Sequence, residues 1–248
     1  MFQLRMLGGL WLERDDRTIA EVRGRALGLL GVIAAAAGRR ATRDQILGVL
    51  WPEVDQERGS HSLSQTLYSL RRQLGTEPTV AEGAMLRLDD SKVVTDLTEF
   101  ERAVAASDWA AAARLYRGPF LAGFYLEGAP DFERWATEVR ERLARDGERA
   151  IEQYAERCDR GGEASEARTA WSRLAELDPL NSRYGYQYIL ALAKSGDRGG
   201  AVRHGLAHVA RLKAELNSAP PTRLAELLER LQRGTFVSTQ REGGTPPS

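Results

Sequence analysis

The sequence predicts a mainly α chain with a small β part confined to its N-terminal half. Two observations predict it: short alternating apolar runs occur only before residue 97, and helix patterns recur one after another beyond it. Phe2, Leu4 and Met6 alternate with Gln3 and Arg5, and Leu10 to Leu12 follow Gly8 and Gly9, the pattern of an antiparallel strand pair. A helix follows from Gly24 to Ala37 with Leu27, Leu30 and Ala34 on one face, and Gly38 stops it. Thr42 and Gln45 form a capping-box pair ahead of Ile46, Leu47, Leu50 and Trp51, and Pro52 ends that helix. A third helix, Gln56 to Leu74, places Leu63, Leu67, Leu70 and Leu74 in one stripe. Val80 and Met85 to Leu88, then Val93 and Val94, read as two short strand runs around Gly83 and the turn Asp89 to Ser91. Strands, three helices and a hairpin are the order of a winged helix-turn-helix.

Beyond Leu97 the signal is repetition. Asp108, Ala112, Tyr116 recurs as Glu163, Ala167, Trp171 and as Asp197, Ala201, Gly205, the last two separated by the 34 residues of a tetratricopeptide repeat. The wider first spacing holds an insertion with the aromatic loop Gly118 to Tyr125 and a long helix from Pro130 to about Arg160. Pro220 and Pro221 open a terminal helix carrying Leu224, Leu227, Leu228 and Leu231. The expected organisation is therefore a winged helix over 1–97, an all-α tetratricopeptide-like array over 98–233, and a disordered tail or linker over 234–248.

Composition narrows the function. The 35 basic and 35 acidic residues cancel, so the chain lacks the overall positive charge of many nucleic-acid binders, and any DNA contact must come from local placement. A single cysteine, Cys158, excludes an internal disulfide and cysteine-rich zinc sites, and with no secretory signal it points to the cytoplasm. The longest apolar run, near Ala26 to Ala37, is too short to span a bilayer.

No catalytic constellation stands out. His204 and His208 share a helix face without a third metal ligand, and Gly205 stands where a zinc protease motif needs glutamate. Cys158 reads as a buried packing residue. Glu138, Glu141 and Glu148 lie among arginines as a salt-bridged surface. The Phe120, Phe124, Tyr125 loop and Tyr184, Tyr186, Tyr188 suit core packing better than a ligand groove. No enzyme activity, cofactor or metal is expected.

The chain resembles Streptomyces antibiotic regulatory protein-type regulators, which join an OmpR-type winged helix to a bacterial transcriptional activator domain. Arg25 to Leu27, Gln45 to Leu47, Leu50 to Pro52, and Leu63, Gln65, Leu67, Leu70 to Arg72, Leu74 and Gly75 carry the first half of the resemblance. Leu115 to Gly118, Phe120, Leu121, Phe124, Phe132, Glu133, Trp135 and Leu177 to Leu180 carry the second. The resemblance implies promoter DNA as partner, with the helical array serving homodimerisation or contact with RNA polymerase. Long members add an ATPase, whose phosphate-binding loop is missing from this sequence.

A winged helix lays its third helix in the major groove. With the leucines inward, His61, Ser64, Gln65, Tyr68, Arg71 and Arg72 face solvent as candidate DNA contacts. Thr42, Arg43 and Arg58 add phosphate contacts from helix ends, and Arg87 and Lys92 from the wing. The chain departs from the family in carrying Ser60, His61, Ser62, Ser64 and Ser69 where relatives favour arginine or asparagine, with Asp55 and Glu57 at the helix start. The alternative is a protein-interaction adaptor whose winged helix binds DNA weakly or not at all.

Overall fold

The computed structural model describes residues 1–16 and 18–236, so the expected tail from 237 onward lies outside the described residues. The chain packs as two units, Met1–Ala150 and Ile151 onward.

In the first unit, β1 (Phe2–Arg5) pairs antiparallel with β2 (Trp11–Arg14), Leu4 opposite Leu12. Both leucines are fully buried, as the alternation requires. The helices are α1 (Gly24–Ala35), α2 (Arg43–Leu50) and α3 (Gln56–Leu74), and the short strand β3 (Arg40–Thr42) leads into α2. Helix α1 is buried continuously from Leu27 to Ala34, making it the central element of the winged helix. The capping box of α2 is complete: Thr42 Oγ accepts the Gln45 N–H at 3.1 Å, and Gln45 Oε1 accepts the Thr42 N–H at 2.9 Å. Gly59 of α3 sits against Leu47 of α2, where a Cβ would lie 3.3 Å from the leucine methyl, so the glycine sets how closely the two helices approach. Gly75 ends α3 in the left-handed conformation at φ 70°, its N–H bonded to the Arg71 carbonyl.

After α3 come β4 (Thr79–Glu82), β5 (Met85–Leu88) and β6 (Val93–Thr95). The hairpin β4–β5 pairs with β3 in the order β3-β5-β4, whereas β6 leaves it and runs parallel to β1 in the sheet β2-β1-β6. The turn between β5 and β6 is held by the Asp89 carboxylate, which accepts from the Ser91 N–H and hydroxyl at 3.0 and 2.7 Å. Those bonds hold its pKa below the usual aspartate range.

Helices α4 (Asp96–Ala105), α5 (Trp109–Leu115) and the first part of α6 (Pro130–Gly161) complete this unit. The aromatic loop between α5 and α6 is core. Phe120 and Leu121 are fully buried; the Leu121 N–H bonds the Met6 carbonyl at 2.9 Å, and the Gly8 N–H bonds the Pro119 carbonyl at 3.1 Å. Phe120 meets Trp135 edge-on at 5.8 Å, and Arg140 of α6 donates to the Phe120 carbonyl at 3.1 Å.

The second unit continues α6 into α7 (Ala164–Leu177), α8 (Ser182–Lys194), α9 (Arg198–Leu216) and α10 (Thr222–Arg233). The repeat seen in the sequence is a repeat of helix starts: Asp108, Glu163 and Asp197 are the N-cap residues of α5, α7 and α9. Ala112, Ala167 and Ala201, one turn on, are all buried. The third copy carries Gly205 in place of an aromatic because α10 fills the space: a Cβ at 205 would lie 2.1 Å from Leu228. Glu163 has a different task from the two aspartates, accepting from the buried Cys158 thiol at 3.3 Å. Burial and that carboxylate push the thiol pKa up. Among the described residues no helix is long and apolar enough to cross a membrane.

Candidate nucleic-acid interface

Helix α3 is anchored by Gly59, Leu63, Leu70 and Leu74, all buried; Leu67, expected in the same stripe, is half-buried. Anchoring those positions turns His61, Ser64, Gln65, Tyr68, Arg71 and Arg72 outward, and each is exposed. Tyr68 is 68% exposed, a large ring turned mostly to solvent. His61 and Gln65, one turn apart, are joined at 2.8 Å between the imidazole Nε2 and the amide nitrogen. From His61 to Arg72 the face runs about 16 Å at 1.5 Å per residue, longer than the ~12 Å width of a B-DNA major groove.

The basic groups are partly paired within the chain. Arg58 lies 3.4 Å from Asp55, the residue whose carboxylate also caps the helix by accepting the Arg58 N–H at 2.9 Å. Arg71 is 4.0 Å from Glu77. Exposed pairs of this kind contribute only about 0–1 kcal/mol, so these pairings cost little to break. Arg72 has no ion-pair partner among the described residues and stands in the last turn of α3.

The remaining candidates are dispersed. Thr42 has its hydroxyl engaged in the capping box. Arg43 is half-buried, and its N–H bonds the Ala84 carbonyl at 3.1 Å, tying the start of α2 to the hairpin tip. That tip, Glu82 to Ala84, carries an acid and no base. Arg87 points to Glu82 at 2.7 Å and to the Leu88 carbonyl at 3.0 Å. Lys92 is exposed in the β5–β6 turn, at the end of β5 away from the tip.

Two basic residues escaped the sequence reading, Arg39 and Arg40. Arg39 pairs with Asp90, and Arg40, opposite Arg87 in the β3–β5 register, lies 3.4 Å from Glu82. Burial, with Arg102 and Arg87 nearby, lowers the Arg39 pKa. The signal was the dipeptide itself, two cations directly after the helix-stopping Gly38. Elsewhere, His204 and His208 occupy α9 with His208 buried, and among the described residues no cluster of three metal-ligating side chains occurs.

A winged helix followed by a tetratricopeptide-like array is the architecture of a transcriptional regulator of the Streptomyces antibiotic regulatory protein type. The chain belongs to the bacterial transcriptional activator domain family, which matches residues 83–232. Among solved structures it is similar to Mycobacterium tuberculosis EmbR, determined in complex with a low-affinity phosphopeptide, with a TM-score of 0.59 and 22% identity. That similarity of fold covers 94% of this chain, which spans 65% of the EmbR chain. None of the curated proteins matches.

Proposed function

We propose that this regulator is a cytoplasmic protein that binds promoter DNA by inserting α3 into the major groove, and that residues 98–233 mediate homodimerisation or contact RNA polymerase. The supporting observation is the outward face of α3: four side chains able to hydrogen-bond or stack, His61, Gln65, Tyr68 and Arg72, stand in one exposed row on a helix held by a buried leucine stripe. In this reading Gln65 reads an adenine edge, Arg72 takes guanine or phosphate, and Ser64, Arg71 and Arg58 position the backbone. Thr42 and Arg43 contribute from the start of α2, and Arg87 and Lys92 flank the duplex. Few phosphates are engaged per subunit, so binding is modest and depends on association at repeated half-sites.

A second reading, a protein-interaction adaptor, is favoured by one observation: Arg58, Arg71 and Arg87 all have carboxylate partners within the chain. The two separate in a selection from random duplexes followed by mobility shifts over a salt series. A regulator selects a sequence, and Arg72→Ala weakens binding and reduces the slope against log salt by about one. No selected sequence at low salt, with Arg71→Ala and Arg72→Ala without effect, leaves the adaptor.

A further inference from the structure

Between the end of α1, β3, α2 and Trp135 of α6 the first unit encloses an open groove of about 730 Å³. Its walls are apolar, formed by Val32, Ala36, Val49, Met85 and Trp135. That volume lies within the roughly 300–1,000 Å³ range of small-molecule sites. Two further observations give the groove a ligand chemistry.

The first is Gly48, in the interior of α2 and on the groove wall. A glycine inside a helix destabilises it relative to alanine unless close packing needs the missing side chain. Here nothing lies within 4 Å of the position a Cβ would take, in contrast to Gly59, which touches Leu47. No neighbour in the chain accounts for Gly48, and a side chain there would enter the open space of the groove. Met85 beside it is 42% exposed, an apolar side chain left to solvent at the same place.

The second is charge at the rim. Arg40 lines the groove, and around it three guanidiniums, Arg39, Arg40 and Arg87, face two carboxylates, Glu82 and Asp90. Glu82 takes Arg87 on Oε1 at 2.7 Å and Arg40 on Oε2 at 3.4 Å, and Asp90 takes Arg39, so three guanidiniums share two carboxylates and the Arg40 contact is the looser of the two on Glu82. The groove's other polar side chains, Thr42 and Gln45, each accept the other's backbone N–H in the capping box.

We propose that this groove binds a small amphipathic carboxylic acid, its apolar body lying over Gly48 between Met85 and Trp135 and its carboxylate paired with Arg40. The site adjoins the start of α2 and the hairpin, but its occupancy does not depend on whether the chain binds DNA.

The test is calorimetric titration of the full chain with octanoate and 1-naphthoate, with octanamide as a neutral control. Saturable one-to-one binding of an acid is expected, weakened about tenfold by Arg40→Gln with little change for octanamide. Gly48→Leu fills the groove and abolishes binding of both acid and amide, while circular dichroism shows an intact fold and an unchanged or higher Tm. Absence of saturable acid binding up to about 10 mM overturns the proposal. So does acid binding that Gly48→Leu leaves unchanged, which places the ligand elsewhere. Loss of a protein partner in Gly48→Leu without any acid binding also overturns it, and assigns the groove to a partner's side chain.

Discussion

Gly147 of α6 lies directly against the ring of Tyr116: a Cβ at 147 would stand 2.6 Å from three ring carbons. Tyr116 is 2% exposed and packs on Phe100 at 5.7 Å, so its ring has nowhere to retreat. In an exposed helix, glycine to alanine stabilises by about 1 kcal/mol. Here overpacking dominates, and Gly147→Ala is expected to destabilise by about 1–3 kcal/mol in urea unfolding. Tyr116→Leu in the same chain should recover part of that loss, and additivity of the two changes would refute the contact.

What was legible in the sequence was local. Thr42 with Gln45 and the leucines of α3 announced themselves because a cap and a helical stripe are written within a few residues. Long-range pairing was not. β3 is three residues with one buried side chain, Ala41, too short for an alternation to show. Val93 to Thr95 looked like part of the hairpin because its partner, β1, lies some ninety residues earlier. For the candidate site, the outward face of α3 followed from its inward one. The counter-ions did not: Arg39 and Arg40 meet Asp90 and Glu82 across some forty to fifty residues of chain, and only the fold brings them together.

Asp96, 2% exposed, accepts the Met6 N–H at 2.9 Å and the Leu7 N–H at 3.3 Å, joining the end of β1 to the start of α4. Asp96→Ala leaves both donors buried without partners and is expected to cost roughly 2–4 kcal/mol. Burial raises this carboxyl above its usual range, against the two backbone donors. A raised folded-state pKa makes the Asp96 contribution complete below the unfolded value, near 3.8, and lost as pH rises through the folded value. The Asp96→Ala penalty measured by urea unfolding should therefore be larger near pH 4 than near pH 7. An equal penalty at both would show that the carboxyl is not displaced.

His208 and His204 act in the opposite sense. His208 is 5% exposed, with Gly185 of α8 so close that a Cβ there would fall 2.6 Å from its Nε2. Burial lowers its pKa first and Arg211 adds to this, against a bond to the Pro179 backbone. His204 is lowered by burial, then by His208 and Arg211, against Glu176. A depressed histidine gives stability that is complete above the unfolded value of 6.5 and is lost as pH falls from there towards the folded value. Tm should fall as pH drops below about 6.5, and His208→Gln should flatten that fall even if it lowers Tm throughout. A pH profile unchanged by His208→Gln would exclude this histidine as its source.

The seam between β1 and the aromatic loop bears on how the chain can be cut. Leu4, Met6 and Leu7 are fully buried, and the strand end Met6 to Gly8 bonds Pro119 and Leu121 through backbone groups. Arg25 of α1 donates to the Leu50 carbonyl and to the Glu127 carbonyl, each at 3.2 Å, fastening the winged helix to the same segment. A fragment ending at 97 leaves the Met6 carbonyl and the Gly8 N–H without their partners and uncovers the face of α1 at Gly28 that lies against Phe124 and Leu126. A fragment ending at 150 keeps every one of these contacts, because Pro119, Leu121 and Glu127 all belong to the first unit. Residues 1–150 are therefore expected to unfold cooperatively in urea, and residues 1–97 to bind anilinonaphthalene sulfonate and unfold without a sharp transition. Cooperative unfolding of the 1–97 fragment with the Tm of the 1–150 fragment would mean that the loop contributes nothing to the stability of the winged helix.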